Sequence, residues 1–116
     1  MRRTTPSAQS LAPIFAALAD PTRLRLLHLM AGREVCVCYF AAVLGESQPK
    51  ISRHLAYLRR TGIAVARREG KWAHYQIQFP ARPGAAAILR QTLATLREDP
   101  TMRMDLKRLR ESQCAQ

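Results

Sequence analysis

The strongest constraint on the fold is a run of helix punctuation between residues 31 and 62. Gly45 interrupts one apolar helical pattern, Ser47 follows as a cap, Pro49 falls in the first turn of a second helix, and Gly62 ends it. Proline is tolerated only in a first helical turn, serine satisfies the free N–H groups there, and glycine accepts the left-handed conformation that terminates helices. The segment Gln48–Thr61 carries Ile51, Leu55 and Leu58 on one stripe, as an amphipathic helix requires. The preceding helix is expected over about 35–44, with Phe40, Ala41 and Leu44 inward. Two helices joined by so tight a turn predict a helix-turn-helix.

The rest of the chain fits around that unit. Leu11, Ile14, Phe15 and Leu18 recur at helical spacing and predict a first helix, with residues 1–9 as a flexible basic arm. Arg2 and Arg3 ahead of an apolar stretch resemble a secretory leader, but that stretch is short and contains Pro13. Asp20-Pro21 opens a second helix reaching about Met30, expected to bury Leu24, Leu27 and either Leu26 or Met30 before Gly32. After Gly62 the period changes from helical to alternating. Residues 63–68 and 71–77 flank Glu69-Gly70 as a β-hairpin with a charged tip. A fifth helix carries Ile88, Leu89, Leu93 and Leu96, and Asp99-Pro100 stops it. A basic segment, 100–116, has Met102, Leu106 and Leu109 at spacing for a sixth. The expected architecture is mainly α with a small hairpin: a winged helix-turn-helix domain over 10–99, with a C-terminal element.

Charge narrows the function. Nineteen Lys and Arg against eight Asp and Glu leave 116 residues with a net charge of +11, which suggests a polyanionic partner. No apolar run approaches the ~20 residues of a membrane span. Residues 50–71 hold seven basic side chains and one acid. On the second helix of the pair, Arg53 and Arg60 lie opposite the core stripe, Lys50 and Tyr57 on one shoulder and Ser52 on the other. Lys and Arg reach base edges, while Ser, Tyr and helix N-terminal amides hold phosphates. Arg67, Arg68 and Lys71 at the hairpin tip are placed for a DNA backbone or minor groove. A solvated helix face beside a charged turn is the alternative for each element alone; together they favour double-stranded DNA. No nucleophile elbow, phosphate-binding loop or HExxH motif argues for an enzyme.

Three cysteines, an odd number with Cys36 and Cys38 separated by one residue, fit free thiols in a reducing cytoplasm better than a disulfide scaffold. The pair is read either as buried small hydrophobes or as ligands. Soft thiolates select thiophilic ions such as As(III), Sb(III) or Cd(II). On a regular helix, residues two apart point about 200° apart, so joint ligation is expected to distort this turn. His28, His54 and His74 are scattered and lack partners at metal-site spacing.

The runs Leu18–Leu27 (LADPTRLRLL), Val35–Cys38 (VCVC), Ser47–Ile63 and Arg67–Ile77 together resemble the ArsR/SmtB family of homodimeric winged-helix repressors, over about residues 11–78. The resemblance implies a bacterial repressor, bound to an operator as a homodimer and released by a metal or metalloid. It implies dimerisation through the first and last helices, and DNA contacts at Gln48, Lys50, Ser52 and Arg53. Cys36 and Cys38 match the Cys-Val-Cys of the arsenical-responsive branch, implying As(III), Sb(III) or an organoarsenical as inducer and no constitutive cofactor. That branch usually continues with Asp and a third Cys, where this chain has Tyr39 and Ala41. Cys114 is then the remaining source of a third thiolate. The zinc-sensing branch uses Asp and His on its last helix, and residues 85–98 contain no His. A thiol-redox repressor and a sequence-neutral DNA-compacting protein are the competing readings.

Overall fold

The structure, a computed structural model, describes residues 8–112. Six helices and a three-stranded sheet follow in the order α1 (Ala8–Leu18), α2 (Pro21–Met30), β1 (Val35–Cys36), α3 (Val37–Leu44), α4 (Gln48–Thr61), β2 (Ala64–Glu69), β3 (Trp72–Ile77), α5 (Pro83–Leu96) and α6 (Pro100–Glu111). The winged helix-turn-helix expectation holds, and the sixth helix is present. Helix α1 already includes Ala8 and Gln9, so the part of the expected arm that is described here is helical. Residues 1–7 and Cys114 lie outside the described residues.

The capping residues do what their chemistry predicts. Asp20 accepts from the Arg23 amide at 3.0 Å and Ser47 from the Lys50 amide at 3.3 Å, each just before a proline-bearing first turn. Gly45 (φ 67°) and Gly62 (φ 85°) close α3 and α4 in the left-handed region, where a side chain would be strained. The α4 stripe, Ile51, Leu55 and Leu58, is fully buried against Leu26, Leu27, Leu29, Met30 and Phe40. Two core expectations shift by a step of the helix. Leu24 is only half-buried while Leu26, Leu29 and Met30 join Leu27, and Val43 rather than Ala41 is buried in α3. His28 is buried too, with neither ring nitrogen hydrogen-bonded; burial, then the Arg33 charge, push its pKa down, so it packs as a neutral ring.

Two features were not foreseen. Residues 35–36 do not begin a helix. They form a short strand that pairs antiparallel with β3, Val35 opposite Tyr75 and Cys36 opposite His74, giving the sheet order β1-β3-β2. In addition α6 is no appendage: it packs on α2 and α3, with Asp105 fully buried and gripped by Arg25 of α2. The Arg25 Nε and Nη2 donate to the two carboxylate oxygens at 2.8 and 2.9 Å, the fork-to-fork geometry that makes Arg–carboxylate pairs strong. Removing one partner of such a pair strands the other charge. Asp105→Ala is therefore expected to lower the unfolding free energy by about 3 kcal/mol, read by urea denaturation, while Arg25→Met with Asp105→Leu recovers most of the loss.

Candidate nucleic-acid interface and thiol site

Because its apolar stripe is locked in the core, α4 turns Gln48, Ser52, Arg53 and Arg60 to solvent. Lys50 is half-buried and ion-paired with Glu46 at 3.1 Å, one helical turn away. Tyr57 is also half-buried: the Arg23 guanidinium lies over its ring at 4.3 Å and that of Arg60 at 5.6 Å. The predicted face is thus assembled, with the Lys50–Tyr57 shoulder engaged within the protein and Ser52 on the other shoulder exposed.

Arg23 is a residue that the sequence reading missed. Its Nε donates to the Ala17 carbonyl at 2.8 Å and its Nη2 to that of Ala16 at 2.9 Å, capping the C-terminus of α1. Its Nη1 meets His54 Nδ1 at 3.3 Å, and Asp20 lies 3.9 Å away. One guanidinium therefore ties α1 and the start of α2 to α4 and sets how α4 is presented. The only sequence signal was an arginine three residues after a helix cap.

In the wing, Arg68 and Lys71 are exposed, with the Lys71 ammonium 5.6 Å from the Trp72 ring. Arg67 is exposed but occupied. Its Nη2 and Nε donate to the two Glu34 oxygens at 2.6 and 3.1 Å, and Glu69 is 3.5 Å away. The pairing with Glu34 raises the Arg67 pKa and lowers that of Glu34. His74 joins the same cluster, its Nε2 3.5 Å from Glu69.

The thiols sit one strand away. Cys36 is buried, in extended conformation (φ −72°, ψ 144°) as the residue preceding α3, while Cys38 is half-buried in the first turn of that helix. The expected opposition of the two side chains is overturned, because the change from strand to helix falls between them. Their sulfurs are 3.8 Å apart, the Cys38 thiol donating to Cys36. Two sulfurs bound to one tetrahedral ion at ~2.3 Å would be about as far apart. Burial pushes the Cys36 thiol up, so it is held as the neutral thiol. A cavity of about 360 Å³ opens beside it, walled by Arg33, Tyr39, His74, Leu109 and Ser112. Among the described residues no group of three or more His, Cys, Asp or Glu is placed to hold a metal ion.

Replacing Arg23 tests the presentation of α4. Arg23→Gln is expected to cost about 1–2 kcal/mol of stability from lost charge-assisted hydrogen bonds, and to weaken DNA binding. Arg23→Lys keeps the charge but not the planar fork, so fluorescence anisotropy should place it between the two.

Residues 20–65 match the family described as "Bacterial regulatory protein, arsR family". The chain is 38% identical over 108 residues to the arsenic resistance transcriptional regulator ArsR2 of Pseudomonas putida, spanning 87% of this chain and 94% of that one. It is 48% identical over 77 residues to the arsenical resistance operon repressor of Escherichia coli K12, 66% of each chain. Among solved structures, the antimony-specific transcriptional repressor AntR superposes with a TM-score of 0.62 at 33% identity, covering 84% of this chain and 87% of that one. With the helix-turn-helix, the wing and these likenesses in place, the chain belongs to the ArsR family of DNA-binding transcriptional regulators, not to the enzymes.

Proposed function

We propose that this protein represses transcription from an operator in the bacterial cytoplasm, and that a trivalent metalloid, As(III) or Sb(III), releases it by binding Cys36 and Cys38. The observation that carries this reading is the 3.8 Å separation of the two sulfurs on the segment leading into the helix-turn-helix. The relatives' names, arsenical resistance repressor and antimony-specific repressor, agree with it. With arsenite the chemistry is ligand exchange: each thiol passes its proton to an arsenite hydroxyl, which leaves as water, and two As–S bonds replace two As–O bonds without redox change. The third position is open to Cys114, to an external thiol, or to the methyl group of an organoarsenical.

DNA is bound by a homodimer. Phe15 on α1 is 52% exposed, a large apolar side chain left open on a helix that a second copy can cover. A two-fold axis then sets the paired α4 helices on half-sites about one DNA turn apart. Gln48, Lys50, Ser52 and Arg53 enter the major groove, Tyr57 and Arg60 flank it, and Arg68 and Lys71 of the wing reach the backbone.

Arg53→Ala should cost ~1–3 kcal/mol of operator affinity and relax sequence preference, whereas Arg68→Ala should weaken all sequences about equally; anisotropy on operator and random duplexes separates the two. Equal binding of both duplexes by wild type would instead favour a sequence-neutral DNA-compacting protein.

Cys36→Ser and Cys38→Ser should each abolish release of DNA by arsenite; Cys114→Ser should weaken it if Cys114 closes a three-sulfur site and leave it untouched if an external thiol or a methyl group is the third substituent. Because the Cys36 thiol is raised, the rate of arsenite capture should still be climbing at about pH 8.5, where an ordinary thiol is half ionised. Arsenite release that survives in the Cys36→Ser/Cys38→Ser double variant defeats the assignment. Release by peroxide but not by arsenite favours thiol oxidation as the signal.

A further inference from the structure

The thiol pair is joined to the wing as well as to the helix-turn-helix. Cys36 stands opposite His74 in the β1–β3 ladder, and His74 stands opposite Arg67 in the β3–β2 ladder. Directly opposed residues of an antiparallel sheet share a face, so these three side chains form one row across it. Glu34, two residues before Cys36, takes hold of Arg67 at the far end of that row with two short hydrogen bonds. Glu69 completes the cluster, 3.5 Å from both Arg67 and His74. The segment Glu34–Cys36 is therefore stitched to the wing twice, by the strand pairing and by the ion pair.

The two thiols are not equally free to move. Cys38 rides on α3, which is anchored in the core through Phe40, Val43 and Leu44. Cys36 belongs to a two-residue edge strand that pairs on one side only. The sulfurs are already at ligand spacing, but Cys36 is 3% exposed, so an ion that reaches its sulfur must part it from its neighbours. Of the two, the strand has the smaller hold on the core, through Val35 alone.

Resting on the thiol-site reading above, we propose that Glu34 is a positioning residue through which occupancy of the Cys36–Cys38 pair reaches DNA: ligation shifts β1, loosens the Glu34–Arg67 grip, and withdraws the wing cations Arg68 and Lys71 from the DNA backbone. Arg67 is then a latch within the protein and not itself a DNA contact. Release acts first on sequence-independent phosphate contacts and only second on base readout by α4.

The test uses the full-length protein, sodium arsenite, and a fluorescein-labelled duplex selected from a random pool by the wild-type protein. Arsenite binding is read from thiolate–arsenic ultraviolet absorbance, and DNA binding from anisotropy over a range of salt. In the wild type, arsenite should lower the slope of log K against log salt by about two for each subunit's wing, while the ratio of operator to random affinity changes little. Glu34→Gln should bind arsenite normally, bind DNA about threefold or more weakly before arsenite is added, and show a correspondingly smaller further loss on adding it. The charge-swapped variant, Glu34→Arg with Arg67→Glu, should restore the arsenite response. A wild-type slope that arsenite leaves unchanged while operator preference collapses overturns the proposal, because release then runs through α4. So does a Glu34→Gln variant with a full arsenite response. In both cases the absorbance band keeps the thiol site intact; absence of the band in the wild type overturns the thiol site and this proposal together.

Discussion

Burial of the Ile51, Leu55 and Leu58 stripe is the constraint on which the molecule turns. A helix of Gln48–Thr61 with that stripe fully excluded from water has no rotational freedom left. Its opposite face, with Ser52, Arg53 and Arg60, is consequently presented as a rigid surface. The glycines that close α3 and α4 serve the same end, since Gly45 reverses the chain within a few residues and Gly62 releases it directly into the wing. Arg23 adds the last restraint, holding Tyr57 and His54 of α4 against the end of α1.

The same packing explains why a protein with so many positive charges keeps its few acids where it does. Asp20 and Asp99 cap helices, Asp105 is buried under Arg25, and Glu34 and Glu69 lie on either side of Arg67. None of these roles neutralises Arg53 or Arg68, which stay exposed. Carboxylates set against the helix N-termini and under Arg25 contribute to stability, while Glu34, Glu46 and Glu69 occupy Arg67 and Lys50.

The thiol pair shows what a change of secondary structure within a short motif can do. On a continuous helix, Cys36 and Cys38 would point apart, and only distortion could bring them to one ion. With Cys36 drawn into the ladder beside His74, and Cys38 in the first helical turn, the sulfurs are neighbours before any ligand arrives. No helix has to unwind to bring the two sulfurs together. One of them lies on an edge strand of two residues, in contact with the wing.

Much of this was determined by the sequence alone. The caps at Asp20 and Ser47, the stop at Asp99-Pro100, the left-handed glycines, the α4 stripe and the change of period after Gly62 are local signals, each readable within one helical turn or one hairpin, and they specify the winged helix-turn-helix. The exposure of Arg53 and Arg68 follows from the same periodicity. Only the tertiary structure decided the rest, because it depends on residues distant in the chain. Val35 and Cys36 become a strand because β3, some forty residues later, offers them hydrogen bonds that outweigh a weak local preference for helix. Arg25 finds Asp105 across 80 residues, and Arg67 finds Glu34 across 33. Spacing along a sequence encodes which face of an element a side chain occupies; which charge or strand meets it there is settled by packing.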